Sequence, residues 1–378
     1  MTKVAIIGAS YFQEPLIRKA KERGYETHVF AWKCGDVGEY LADYFYPISI
    51  VEKDLILEQC RKIGINGICS IASDLAIITV NYVANGMGLT GNSLESTEKS
   101  TNKHKMRKCF ELNKDPSPRS ILVSSVTDLD GIKLDYPVIV KPLDRSGSRG
   151  ITKLDDGNGL QEAIEEAKRQ GFQKQALVEE FVSGQEYSVE YVSWNGNHRF
   201  LAITRKYTTG SPHFIETGHL QPAALDEAVL NKVKEIIPHA LSGLGVKFGA
   251  SHSEIKITDS NDIKIIEIGA RMGGDFIGSS LVQLSTGYDF VGAVLDISLG
   301  IEPAYNADKQ NFAAVRFVFS NDDIECFQKL CLDHENILIS HQISDVGTHE
   351  VVDSSSRFGY FLFSSDRFED IETYLPGD

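Results

Sequence analysis

The chain has 378 residues, of which 42% are hydrophobic and 24% charged, and its formal net charge is −15. That length suits two or three packed units rather than one core, the balance is that of a soluble globular protein, and no apolar run reaches the length of a membrane span. Lys and Arg are scattered rather than gathered in runs, which argues against nucleic acid as a partner.

The first residues enter a strand pattern directly, without a signal-peptide cleavage pattern. The six cysteines (Cys34, Cys60, Cys69, Cys109, Cys326 and Cys331) form no C-x-x-C pair and no zinc spacing. Reduced thiols in a cytoplasmic protein are therefore expected. Strands are predicted over residues 4–8, 27–32 and 65–71, and helices over 15–24, 54–63 and 73–87. This alternation predicts a parallel sheet with helices on both faces. A dinucleotide site is the first idea for such a unit, but the first strand ends Gly8-Ala9-Ser10 instead of G-x-G-x-x-G. No acidic residue ends the second strand to hold a ribose.

Residues 96–118 are polar, with Lys99, Lys103, Lys105, Arg107 and Lys108 close together and Asp115-Pro116-Ser117-Pro118 as a break. Strands dominate from 120 to 192, around one charged helix at 159–170. Residues 225–244 read as an amphipathic helix with Pro238 inside it. The last 75 or so residues mix strands with a short helix.

Two neighbouring strands hold the most informative pattern. They are His252-Ser253-Glu254-Ile255-Lys256-Ile257 and Ile263-Lys264-Ile265-Ile266-Glu267-Ile268, separated by the turn-like Asp259-Ser260-Asn261-Asp262. A turn centred between Ser260 and Asn261 sets Glu254 directly opposite Glu267. Carboxylates facing each other at about 5 Å repel, and a divalent cation is the natural compensation, since Mg²⁺ takes carboxylate and phosphate oxygens. The alternatives are a solvated pair or a register slipped by one. Gly269-Ala270-Arg271-Met272-Gly273-Gly274-Asp275 follows, where glycines admit a ligand close to backbone and Arg271 adds a fixed cation.

Upstream, Val138-Ile139-Val140-Lys141-Pro142 is a strand ending in lysine, followed by the small-residue turn Ser146-Gly147-Ser148. Such a flap can wrap phosphate oxygens with its N–H groups. Glu179-Glu180-Phe181-Val182 then leads through Gly184 to Glu186, a strand–turn–strand hinge.

In this order, these pieces resemble the ATP-grasp superfamily, over roughly residues 1–300. The resemblance implies an α/β fold. A Rossmann-like domain (1–95) is followed by an ATP-grasp domain (96–300) of two α+β subdomains, its flap at about 118–183, and by a small C-terminal α+β unit (301–378). It also implies that Lys103 (or Lys105) and Lys141 contact ATP phosphates, with Ser146, Gly147 and Ser148 in the closing flap. Glu180, Phe181 and Val182 would then meet the adenine and Glu186 the ribose. Glu254 and Glu267 would hold Mg²⁺ (or Mn²⁺), and Arg271 would steady the transferred group.

The family's usual E-x-N-x-R has Gly269 in place of asparagine here. That change, with His252–Lys256 and Glu216-Thr217-Gly218-His219-Leu220-Gln221-Pro222, looks like the L-amino acid ligase branch. The implied reaction joins a small carboxylate, activated as an acyl phosphate, to an amine. Arg205, Glu216, Gly218, His219, Arg271, Gly273 and Gly274 are the candidates for the substrate side, and His213 reads better as an exposed loop residue. The other readings are a bicarbonate-activating ligase and a non-catalytic nucleotide-binding protein. A homodimer is the base-rate expectation.

Overall fold

In the computed structural model of the chain, residues 1–144, 150–211, 214–347 and 349–377 are described. The expectations for Ser146, Gly147, Ser148 and His213 lie outside the described residues. Those residues build three sheets.

The first sheet is parallel, in the order β3-β2-β1-β4, from β1 (Lys3–Ile7), β2 (Glu26–Phe30), β3 (Tyr44–Tyr46) and β4 (Gly67–Cys69). β1 is a continuous apolar run because both its faces are covered. Val4 and Ile6 pack on one side with Leu16 and Ile17, and Ala5 and Ile7 on the other with Ile56 and Val80. The helix Asp74–Met87 starts at Ser73, whose hydroxyl accepts the Ala76 N–H at 3.2 Å, and ends at Gly88 with a left-handed φ of 68°. The polar segment after it forms two helices, Leu94–Thr101 and Lys103–Asn113. Asn102 caps the second by accepting from the Lys105 N–H.

The flap sheet is antiparallel, in the order β5-β8-β6-β7, from β5 (Ser120–Val123), β6 (Val138–Pro142), β7 (Thr152–Leu154) and β8 (Ala176–Glu180). The helix Leu160–Gln170 packs Ala163, Ile164 and Ala167 against it.

The third sheet has eight antiparallel strands. They are β9 (Gln185–Trp194), β10 (Asn197–Thr208), β11 (Glu216–Gln221), β12 (Gly249–Ile257), β13 (Ile263–Gly269), β14 (Phe312–Val318), β15 (Leu338–Ile343) and β16 (Gly359–Ser365), in the order β13-β12-β9-β10-β11-β14-β16-β15. Its first half divides by the period of two. Tyr187, Val189, Ile255 and Ile265 pack on the helix Glu227–Leu244, which runs through Pro238. Glu186, Glu190, Lys206, His252, Glu254 and Glu267 lie on the other face. The C-terminal residues have a core of their own around Leu330, Phe361 and Phe363, yet their strands extend this same sheet through the β11–β14 pair. Among the described residues no helix is long and apolar enough to cross a membrane.

Candidate active site

Glu254 does face Glu267, by a route different from the expected one. The turn between β12 and β13 closes with Thr258 N–H on the Asp262 carbonyl (3.0 Å) and Asn261 N–H on the Thr258 carbonyl (2.9 Å), with Asn261 at a left-handed φ of 61°. It centres on Ser260, half a residue earlier than expected, and by itself would set Glu254 opposite Ile266. A bulge at Ile266 absorbs one residue, so Ile255 pairs with Ile265 and Glu254 with Glu267. A second bulge, between Tyr207 and Thr208 of β10, leaves Thr217 of β11 unpaired. Lys206 pairs with His219 and Thr208 with Glu216, so Glu216 and His219 share the cleft face although they are three residues apart.

Buried and half-buried cations neutralise the carboxylates. The Lys103 Nζ lies 2.5 Å from Glu267 Oε1, whereas Lys105 turns outward to Glu98. Of the two lysines, Lys103 is the one that reaches the cleft. The Lys206 Nζ lies 2.6 Å from Glu186, 2.9 Å from Glu254 and 3.6 Å from Glu216. Burial alone would lower the Lys206 pKa, but these carboxylates hold it well above its ordinary value. Burial would likewise raise Glu254, and Lys206 with His252 holds it well below the usual range.

Lys141 is buried at 2.5 Å from Glu179, which also takes Arg107 at 2.8 and 3.1 Å. Burial, Arg107 and Lys103 outweigh Glu179 and leave the Lys141 pKa lowered, a state that an arriving phosphate would relieve. His252 Nδ1 meets the buried Glu190, and its Nε2 lies 3.6 Å from Glu254.

Several expected substrate residues sit elsewhere. Arg205 lies on the opposite face of β10 from Lys206, with its guanidinium 4.9 Å from the Tyr207 ring centre; strand alternation puts its neighbour in the cleft instead. Gly218 also faces away, and a Cβ there would stand 2.6 Å from Pro376 and from the Val315 carbonyl. Gly273 is engaged with the protein itself. Its N–H donates to Glu190 at 3.1 Å, and a Cβ would stand 2.7 Å from His252 Nδ1. Gly274 faces Ala72 and Phe12 of the N-terminal sheet's loops, 3.6 and 3.8 Å from where its Cβ would be.

Glu216 lines the cleft, whereas His219 lies beneath it, paired with Lys206 and edge-on to Phe317. Glu216 is held by Arg357 at 3.2 Å and Ser354 at 3.3 Å. Arg357 also binds Asp275 at 2.9 Å and stacks 3.8 Å from the Phe317 ring centre. His219 is fully buried, and neither ring nitrogen has a hydrogen-bond partner among the described residues. Burial, with Lys206 and Arg357 nearby, pushes its pKa well down, so the ring is neutral. Arg271 forks onto Asp74, Nε to Oδ1 at 2.9 Å and Nη2 to Oδ2 at 3.0 Å.

Lys103, Lys141, Lys206, Glu216, Glu254 and Arg271 line one cleft between the flap sheet and the large sheet, with a cavity of about 200 Å³. At its far end Phe181 and Phe214 stand 6.4 Å apart, with Lys153 and Lys256 over the Phe181 ring and Ile139 and Ile266 nearby. The Glu180 and Phe181 N–H groups are engaged by the Arg119 and Pro137 carbonyls. Among the described residues no three His, Cys, Asp or Glu side chains are placed to hold a metal together.

Sequence reading passed over Asp74, Arg107, Glu190, Lys206, His252 and Arg357 as site residues. Glu186, Ser188 and Glu190 alternate with Tyr187, Val189 and Tyr191, a signal that could have marked Glu190 and, one strand on, Lys206. Asp74 and Arg357 carry no such local signal.

Residues 134–279 match the ATP-grasp domain family. An alanine–anticapsin ligase of Bacillus subtilis is 26% identical over 353 residues, covering 77% of this chain and 74% of its own. Among solved structures, an L-amino acid ligase from Bacillus licheniformis superposes with a TM-score of 0.84 at 22% identity, over 99% of this chain and 96% of its own. A phosphoribosylglycinamide synthetase from Anaerococcus prevotii does so with 0.77 at 18% identity, over 98% and 96%. At these identities the two superpositions speak for the fold, and the family match speaks for the domain it covers. Residues 134–279 therefore form an ATP-grasp domain, and the chain as a whole is similar to ATP-grasp carboxylate–amine ligases.

Proposed function

We propose that this ligase activates the carboxylate of an amino acid, or of a similarly small acid, as an acyl phosphate and joins it to an amine, releasing ADP and phosphate. The observation behind this reading is the facing Glu254–Glu267 pair, set between Lys103, Lys206 and Arg271 in one cleft. The names of the relatives, alanine–anticapsin ligase and L-amino acid ligase, point to amino acids as substrates.

Two carboxylates suit Mg²⁺, or Mn²⁺, when phosphate and water complete the shell. The bound metal–ATP pair supplies a γ-phosphoryl group whose charge is neutralised for in-line attack. Glu254 and Glu267 would hold the metal, with Lys206 and Lys103 giving up their present partners. Lys103 and Lys141 would meet phosphates. The adenine would lie between Phe181 and the Ile139/Ile266 side chains, its edge on the Glu180 carbonyl and the Val182 N–H, and Glu186 would take the ribose. Arg271 would face the transferred group. Glu216 would draw the substrate ammonium and the neutral His219 ring would hydrogen-bond the substrate. Most of the catalysis then comes from positioning and electrostatics.

ADP release with magnesium ATP tests this across amino-acid pairs, bicarbonate and no added substrate. Turnover that requires an amino acid and yields an amide is expected. Bicarbonate-dependent turnover, or tight ATP binding without any turnover, would overturn the reading.

A further inference from the structure

Gly269 sits at the end of β13, opposite His252 and on the same face as Glu267. A side chain there would enter the cleft, but the space is taken. A Cβ on residue 269 would stand 2.8 Å from Asp74 Oδ1 and 3.1 Å from Arg271 Nε. Asp74 comes from the first turn of the helix Asp74–Met87, in the N-terminal domain, 197 residues away in sequence. Its two oxygens take Arg271 Nε and Nη2 in a fork, and Arg271 Nη1 donates to the Met272 carbonyl at 3.2 Å. The guanidinium is therefore tied at all three nitrogens.

We infer that Asp74 is a positioning residue for Arg271, and that Gly269 is glycine in order to admit it. The inference rests on the reading that Arg271 faces the transferred group. Arg271 stands in a segment with Gly269, Gly273 and Gly274, so neither its backbone nor its long side chain fixes the guanidinium plane without an external partner. A planar fork answered by a carboxylate does fix it. Both Asp74 oxygens face the guanidinium, which sets Asp74 apart from Glu254 and Glu267 as a candidate metal ligand. The N-terminal domain thereby takes part in the ligase site through one side chain, and the departure at residue 269 becomes the space this side chain needs.

The test compares wild type with Asp74→Ala, Asp74→Asn, Gly269→Ala, Arg271→Ala and the double variant Asp74→Ala/Arg271→Ala. The readouts are amide-coupled ADP release, the KM for ATP, and melting temperature. A misplaced positioning group lowers turnover by about 10- to 100-fold. Asp74→Ala is expected to do so with the KM for ATP within about twofold of wild type. Gly269→Ala should reproduce the loss with Asp74 still present, and both it and Asp74→Asn keep the test alive should Asp74→Ala fail to fold. The double variant should be no worse than Arg271→Ala alone, since Asp74 acts only through Arg271. A further loss in the double variant, or wild-type turnover in the Asp74 and Gly269 variants while Arg271→Ala is impaired, would overturn the inference. Wild-type turnover in Arg271→Ala would instead refute the role given to Arg271 itself.

Discussion

Replacing Lys206 by methionine keeps the apolar stem and removes the ammonium that Glu186, Glu254 and Glu216 share at 2.6, 2.9 and 3.6 Å. Removing one partner of a buried ion pair costs about 3–5 kcal/mol, because the other charge is left uncompensated. The three carboxylates keep 22%, 28% and 15% side-chain exposure, so water relieves part of that and the low end, about 3 kcal/mol, applies. Unfolding entropy of about 2.1 cal/mol/K per residue gives roughly 0.8 kcal/mol/K for 378 residues. Lys206→Met should then melt about 4 °C below wild type in metal-free buffer. At the proposed metal site Mg²⁺ would take over the lost counter-charge, so adding it should raise the variant's melting temperature more than that of wild type. Scanning calorimetry with and without chelator reads both effects. A variant within about 1 °C of wild type without metal, or equal stabilisation of both by Mg²⁺, would refute the account of Lys206 as the neutralising charge of this cleft.

Glu267→Gln should lower ADP release by at least about 100-fold and weaken its dependence on magnesium concentration, read by metal titration of initial rates. His219→Phe should leave melting temperature unchanged or slightly higher, because a buried ring without hydrogen bonds contributes no pairing to lose, while kcat/KM for the amino-acid substrate falls; unchanged kcat/KM would remove His219 from the site. Arg357→Ala frees Glu216 and Asp275 from their shared cation, and should raise the KM for the amine substrate while leaving the KM for ATP near wild type. For Glu179, burial would raise the pKa, but Arg107 and Lys141 hold it at about 2 in the folded protein, against about 4.3 in an unfolded chain. A folded pKa below the unfolded one contributes stability above about pH 4.3 that is lost as pH falls toward 2. The stability gap between wild type and Glu179→Gln, measured by denaturant titration, should therefore be full at pH 6 and narrow steadily below about pH 4.3.

The parallel sheet, the flap strands and the Glu254–Glu267 pair were legible because each is written in local pattern. Continuous apolar runs, a lysine-ended strand and a polar turn between two alternating strands need no distant residue to be read. The pair came out right although the turn was placed half a residue late, because the bulge at Ile266 shifts the register by the compensating amount. No rule of turn composition foretells that bulge. The substrate side was read one residue off at Arg205 for a related reason. Thr204-Arg205-Lys206 gives both basic residues an equal claim until the neighbouring strands settle which face is the cleft. Gly218 and Gly273 are expected on the substrate side, whereas one packs under Pro376 and the other on His252. Asp74 and Arg357 belong to contacts between distant stretches of chain, and a single sequence holds no trace of those.

The position of β14 beside β11 has a consequence for synthesis. β11 carries Glu216 and His219, and until residues 312–318 have left the ribosome its outer edge has no strand to pair with. The nascent chain therefore holds an open row of backbone donors and acceptors at the rim of its own site, the kind of edge that invites pairing with another chain. Ending the chain near residue 300 would make that exposure permanent. Such a truncation should yield insoluble protein rather than a smaller ligase, even though every residue assigned to the nucleotide and the metal lies before the cut.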